Sequence, residues 1–209
     1  MRFRGPVTAG SLAVMASTVP APPVPLSKVG RAAHDIGLAG LLGGNLFGRL
    51  AMHPSVTEIS DQAERGKVVN AAWRRYGAVN SLSLVAVASG WIGARLRESA
   101  NSKLSDEERR LAYVKDALVG LVAATGLGTA AEGMRFARMA PGGAVPLRDG
   151  DHAAPAASES ARRSKRRVNT LSTANLVSEI ALVAVNSALA QEGFRRPPGR
   201  RFIPRWGRL

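Results

Sequence analysis

The sequence contains no cysteine. Disulfides, thiolate-ligated zinc, iron–sulfur clusters and thiol nucleophiles are therefore excluded, and the redox compartment cannot be read. Aromatic residues are scarce as well, at 5% of 209 residues, against 22 glycines. A water-soluble core of this length ordinarily draws on more Phe, Tyr and Trp. Helices packed in lipid use Gly and Ala instead, because close backbone approach replaces the hydrophobic effect between them. Acidic residues are outnumbered, 15 against 29 Lys and Arg, for a net charge of +14. That balance favours anionic partners, either lipid headgroups or nucleic acid. Nucleotide signatures are missing: there is no GxGxxG after a strand, no GxxxxGK[ST] and no GxSxG elbow. The glycine-rich run from Gly37 to Gly48 lies in an apolar helix pattern and cannot cradle phosphate.

What the chain does have is four apolar stretches rich in small residues, roughly Asp35–Met52, Tyr76–Ala94, Ala117–Ala137 and Thr170–Ala190. A mean hydropathy of −0.02 conceals them, because Arg-rich tails and loops dilute the average. Each approaches the ~20 residues needed to cross about 30 Å of hydrocarbon. The expected fold class is all-α, a four-helix transmembrane bundle with disordered N- and C-terminal tails. One four-span domain occupies about 31–194, between a Pro-rich leader over 1–30 and a basic tail over 195–209. Arg2, Arg4 and the apolar run Val7–Met15 offer a short signal-peptide pattern, and Met15 offers a second start. The connector from about 140 to 164 has no hydrophobic period and is expected to be disordered. Pro54 is expected to end the first span. Ser55-Val56-Thr57-Glu58 and Ser105-Asp106-Glu107-Glu108 read as capping boxes opening the next two helices. Trp73, Arg74, Arg75 and Tyr76 are placed at a water–lipid boundary.

Two patterns inside these stretches carry the packing argument. Gly40, Gly44 and Gly48 fall on one helical face, and Gly120 and Gly128 repeat the spacing between Asp116 and Glu132. These are the expected helix-packing faces, with a homo-oligomer through the first. The second pattern is polar. Glu179 lies near the middle of the fourth stretch, where an ionised carboxylate costs several kcal/mol. Ser172, Asn175, Glu179 and Asn186 share a helical face, so that face must point into the bundle. Asn45, Asn80 and Thr125 complete an expected intramembrane polar site, with Arg49 and Lys115 as the nearest cations by type. Two roles fit it: hydrogen bonds that hold helices together, or a titrating group for protons or cations.

His34-Asp35 and Lys115-Asp116 point about 100° apart on a helix and do not pair with each other. His34 and Asp35 read as boundary residues. His53 lies at the opposite end of the first stretch and His152 in the connector, so no cofactor, catalytic or metal site is expected. The basic clusters Arg162–Arg167 and Arg195–Arg208 are expected to meet anionic headgroups of membrane lipid, not nucleic acid, since no nucleic-acid reader fold accompanies them. The function expected is a non-enzymatic structural or interaction role in the plasma membrane, multi-pass, with cytoplasmic termini. A small proton- or cation-coupled transporter or channel titrating at Glu179 is the first alternative. A soluble helical bundle binding acidic partners is the second.

Overall fold

A computed structural model of the chain describes residues 26–97 and 99–195. Four long helices carry it: α1 (Leu26–Phe47), α2 (Gln62–Arg97), α3 (Asp106–Ala137) and α4 (Glu159–Arg195). Among the described residues the only β pairing is an isolated bridge between Leu147 and Ala153. Three helices, α2, α3 and α4, are long and apolar enough to cross a membrane by length and composition; α1 is not among them. The last residues of the expected leader, 26–30, are helical. The rest of the leader, the signal-peptide pattern and the basic tail beyond residue 195 lie outside the described residues.

Inward positions recur with alternating steps of three and four. On α2 they run Val69, Trp73, Tyr76, Asn80, Ser83, Val87; on α4, Ser172, Asn175, Glu179, Leu182, Asn186, Leu189. A strict 3.5-residue repeat is the pattern of helices that supercoil left-handedly around a shared seam. Packing follows from it as two antiparallel hairpins, α1 along α2 and α3 along α4, which meet where α1 faces α4 and α2 faces α3.

The glycine face of α1 is filled within the chain. Tyr76 lies over Gly44, Trp73 over Gly48, and a Cβ at Gly40 would come within 2.5 Å of Ser83 Oγ. Tyr76 also donates its hydroxyl to Gly40 O at 2.8 Å. One expectation is thereby corrected. The Gly40/Gly44/Gly48 face is occupied by α2 and is not free for a second copy. Trp73 and Tyr76 turn their rings into this seam, because the missing Cβ atoms leave hollows that only large rings fill. Gly128 meets Leu171 at ordinary contact distance, while Gly120 has nothing near it and forms no packing face in the chain.

The helix ends correct two expectations and bear out a third. Ser105 Oγ accepts from Glu108 N at 3.3 Å, and Glu108 Oε2 accepts from Ser105 N at 2.9 Å, a complete capping box. Ser55 caps nothing: its backbone is helical and its hydroxyl donates back to Ala51 O. The cap of α2 is Asp61, whose Oδ1 accepts from Ala63 N and Glu64 N at 2.7 and 3.0 Å. Pro54 does not stop the first helix. The chain widens into a π-helical turn over Gly48–Met52, with His53 N–H bonded to Gly48 O, and so accommodates a residue that has no N–H to donate.

The connector is ordered, contrary to expectation. Val145, Leu147 and Ala157 are buried with Val56, Val69, Phe136 and Ala161 in a second apolar cluster that caps one end of the bundle. Its backbone is held by side chains of the helices. Arg65 donates to Ile59 O, Thr57 O and Arg148 O, and Asn70 donates to Gly143 O at 2.7 Å. Gly142 and Gly143 take the positive φ that turns the chain after α3. Val145 O crosses so close to Gly66 that a side chain there would collide with it.

These contacts rank the glycines by consequence. Gly44→Leu should destabilise the bundle by about 1–3 kcal/mol or more through overpacking against Tyr76. Gly120→Leu should be neutral or stabilising by up to about 1 kcal/mol. Unfolding of the two variants in detergent, followed by circular dichroism, checks the order; equal effects would contradict the assigned seam.

Candidate functional site: a carboxylate layer inside the bundle

Glu179 is 0% exposed. The 3.5-residue repeat of α4 turns it toward α1 and α3, with Leu182 beneath it in the main apolar cluster of Leu38, Leu41, Val87, Val119 and Val122. A carboxylate in that position needs donors from its neighbours. Asn45 Nδ2 donates to Oε1 and Oε2 at 2.8 and 2.9 Å. Asn175 Nδ2, one turn earlier on α4, donates to Oε1 at 2.6 Å. Thr125 Oγ1 of α3 lies 2.8 Å from Asn175 Oδ1 and 2.6 Å from Leu121 O, its one proton shared between these acceptors. The result is a chain, Thr125 to Asn175 to Glu179, closed by Asn45 across the seam between the hairpins. No Lys, Arg or His forms an ion pair with Glu179 among the described residues.

Sequence reasoning placed Asn45, Asn175, Thr125 and Glu179 together, and the structure does the same. It separates two others. Asn186 lies two turns further along α4. There it accepts from Lys115 Nζ and donates to Asp35 Oδ1 at 3.1 Å. Asn80 keeps its inward position on α2, but its Oδ1 is buried with no hydrogen-bond partner and the residue does not join Glu179. Its helix faces α1 and α3, whereas the layer is built chiefly on α4.

Two further polar layers close the bundle at its ends. At one, Trp91 Nε1 and the Arg95 guanidinium both donate to Asp116, at 2.8 Å and 3.0–3.1 Å, joining α2 to α3. Lys115 Nζ sits 4.1 Å from the centre of the Trp91 ring. His34, expected at a boundary, is buried in the α1–α2 seam, where Nδ1 donates to Val87 O at 2.8 Å. At the other end Arg49 Nη2 donates to Ser172 Oγ and Thr173 Oγ1, at 3.0 and 2.9 Å.

Sequence reasoning missed the end cap's own network. Trp73 Nε1 donates to His53 Nε2 at 3.1 Å, so that nitrogen is the acceptor. The proton of neutral His53 is then on Nδ1, which donates to Asp151 Oδ1 at 2.9 Å. The indole N–H occupies the nitrogen that a catalytic His–Asp pair would turn to a nucleophile, and the pair ties the connector to the helices. Asp151 is held below the ordinary carboxylate range, chiefly by this bond, with the charges of His53, Lys165 and Arg49 adding and burial opposing. Asp149 is lowered too: burial opposes, and hydrogen bonds from His152 and from the Asp151 and His152 backbone outweigh it. Among the described residues no three His, Asp or Glu side chains converge as metal ligands would.

No protein-family model matches this sequence, and comparison with curated proteins and with solved structures gives no match.

Because the folded state lowers the Asp151 pKa, the ionised carboxylate adds stability at pH values above the unfolded value of about 4, and that stability is lost as pH falls through the lower folded value. Trp73 fluorescence in a Trp91→Phe, Trp206→Phe background should therefore shift below about pH 4. Asp151→Asn should show a shifted signal already at neutral pH and no acid transition. A flat titration in the parent would contradict the assignment.

Proposed function

We propose that this chain is a non-enzymatic, four-span protein of the plasma membrane, with a structural or partner-binding role inside the bilayer and both termini in the cytoplasm. One observation carries the reading: large aliphatic side chains cover the outward faces of the helices while polar ones are enclosed among them. Glu179, Asn175 and Ser178 are enclosed, while Val177 and Ile180, on the same turns of α4, are 60% and 51% exposed. Leu82 on α2 and Leu127 on α3 are exposed likewise. Only 22% of the apolar window of α4 is buried within the chain. Lipid supplies the cover that so much outward Leu, Ile and Val requires. In this reading α1 crosses with the others, packed on α2 through its glycines and presenting Ile36 and Phe47 outward. Lys and Arg are more numerous in the tails and the α2–α3 turn than in the other two loops, which favours cytoplasmic termini.

The structural role rests on where the hydrogen bonds run. Asn45 to Glu179, Asn186 to Asp35 and Arg49 to Ser172 all cross from α1, or the π-helical turn that continues it, to α4, the seam between the hairpins. Such bonds fix register between helices that lipid alone leaves free to slide. The runner-up is a proton- or cation-coupled transporter. What favours it is a carboxylate at the bundle centre whose hydrogen-bond donors are both neutral amides.

Glu179→Gln separates the two. It keeps the shape and abolishes titration. We expect assembly in detergent and proton or cation flux in proteoliposomes both to be unchanged, with Glu179→Ala losing stability by about 1–3 kcal/mol. Flux that is present in the parent and lost in Glu179→Gln would favour the transporter. Release of the protein from vesicles by alkaline carbonate would overturn the membrane reading itself.

A further inference from the structure

We propose that the outward face of α4 at the capped end of the bundle is a binding site for one anionic phospholipid, its phosphate held by Arg49, with the Arg166 charge further toward the start of α4, and its acyl chain lying along Ala174, Val177 and Ile180. The inference rests on the membrane reading above and adds to it a defined ligand and position.

The face changes character along its length as a phospholipid does. Arg166, Thr170, Thr173, Val177 and Ile180 follow one another at steps of four and three on the same side of α4, from cation through hydroxyl to aliphatic. That stripe covers about 21 Å of helical rise, enough for a headgroup, its ester region and the upper acyl chain. An open groove of about 530 Å³ lies over its middle, lined by Asn169, Thr170, Thr173, Ala174 and Val177.

The chemistry at the polar end calls for an anion. Arg49 reaches across from α1 and is pinned at the groove by the Ser172 and Thr173 hydroxyls through Nη2 alone. Its remaining N–H groups bond nothing among the described residues, and no carboxylate is within ion-pair distance there. Asp151, whose carboxyl feels the Arg49 charge, is engaged by His53. Arg166 is two-thirds exposed, and its nearest carboxylate oxygen, on Glu159, is 3.8 Å away and shared with other arginines. The threonines cannot be the donors: Thr170 gives its proton to Arg166 O and Thr173 to Asn169 O. The N–H groups left for a ligand are therefore guanidinium ones, which suit a phosphate. A choline headgroup would bring its own cation against them, so the site selects a net negative lipid.

The test uses the full-length chain purified in mild detergent, incubated with equal amounts of phosphatidylglycerol and phosphatidylcholine, and analysed for retained lipid by mass spectrometry. We expect about a fivefold preference for phosphatidylglycerol, the size that about 1 kcal/mol of headgroup attraction gives. Arg49→Gln should bring the ratio near parity. Ala174→Trp, at an exposed position that leaves both guanidinium groups in place, should reduce retention by filling the groove, and it carries the test where Arg49→Gln fails to fold. Arg75→Gln removes the same charge from another exposed position and should keep the preference. Parity in the parent, a preference unaltered by both groove variants, or displacement of the lipid by millimolar inorganic phosphate would overturn the proposal. Flotation of the same protein with vesicles reads the membrane assignment separately: a protein that floats but shows no headgroup preference sinks only this site.

Discussion

An acid enclosed among four helices has to be solvated by its neighbours, and the rest of this molecule is arranged around that requirement. Glu179 is fully enclosed and has no ion-pair partner among the described residues, so two carboxamides solvate it. The donors come from opposite hairpins. Moving α1 against α4 by a single residue would withdraw Asn45 and leave the carboxylate with half its partners. A buried polar group that is costly to strand is also one that specifies register. Here it specifies how two otherwise smooth, glycine-lined hairpins meet.

The two kinds of interface in the bundle divide the work. Within the α1–α2 hairpin, contact is made by the absence of side chains: Gly37, Gly40, Gly44 and Gly48 admit Ser83, Tyr76 and Trp73. Such surfaces give dispersion contact but little positional memory. Between the hairpins the contacts are polar and directional, in three layers spaced along the seam. The apolar cluster around Leu182 separates the Glu179 layer from the layer that holds Asn186, Lys115 and Asp35. That plug lies between these two polar layers and weighs toward the structural reading of the acid. At the other end the folded connector ties the α1–α2 loop to the start of α4 through His53, Asp151 and Asn169.

Much of the central layer was legible because a helix face can be read from spacing. Asn175 and Glu179 share a face with Ser172, and an acid in an apolar stretch demands partners of the kind Asn45 and Thr125 supply. Asn186 was assigned to the same site because it shares that face. Spacing reports direction around a helix, however, and the two extra turns along the axis put it in another layer. Asn80 also faced inward, on a helix that does not reach the acid. The connector was misread for a different reason. It folds by contacts distant in sequence, and hydrophobic period is blind to these. A signal was present: the inward repeat continues past the apolar stretches into Gly66 and Val69 on α2 and Ala161 on α4, and those faces required something to cover them. The first helix departs from its apolar neighbours for a compositional reason, since Arg31, His34, Asp35 and Asn45 lie within it and lower its hydropathy.

The central claim is that lipid, and not water, meets the outward side chains of these helices. The native chain has no cysteine, so single cysteines can be introduced on a silent background. Full-length variants carrying cysteine at Leu82, Leu127 or Ile180, and at Arg74 or Lys103 for comparison, are treated in intact vesicles with a membrane-impermeant maleimide applied to both faces. The account predicts labelling at Arg74 and Lys103 and protection at the three aliphatic positions until detergent is added, although all five side chains lie on the outside of the fold. Labelling of Leu82, Leu127 and Ile180 at the rate of Arg74 and Lys103 would contradict it.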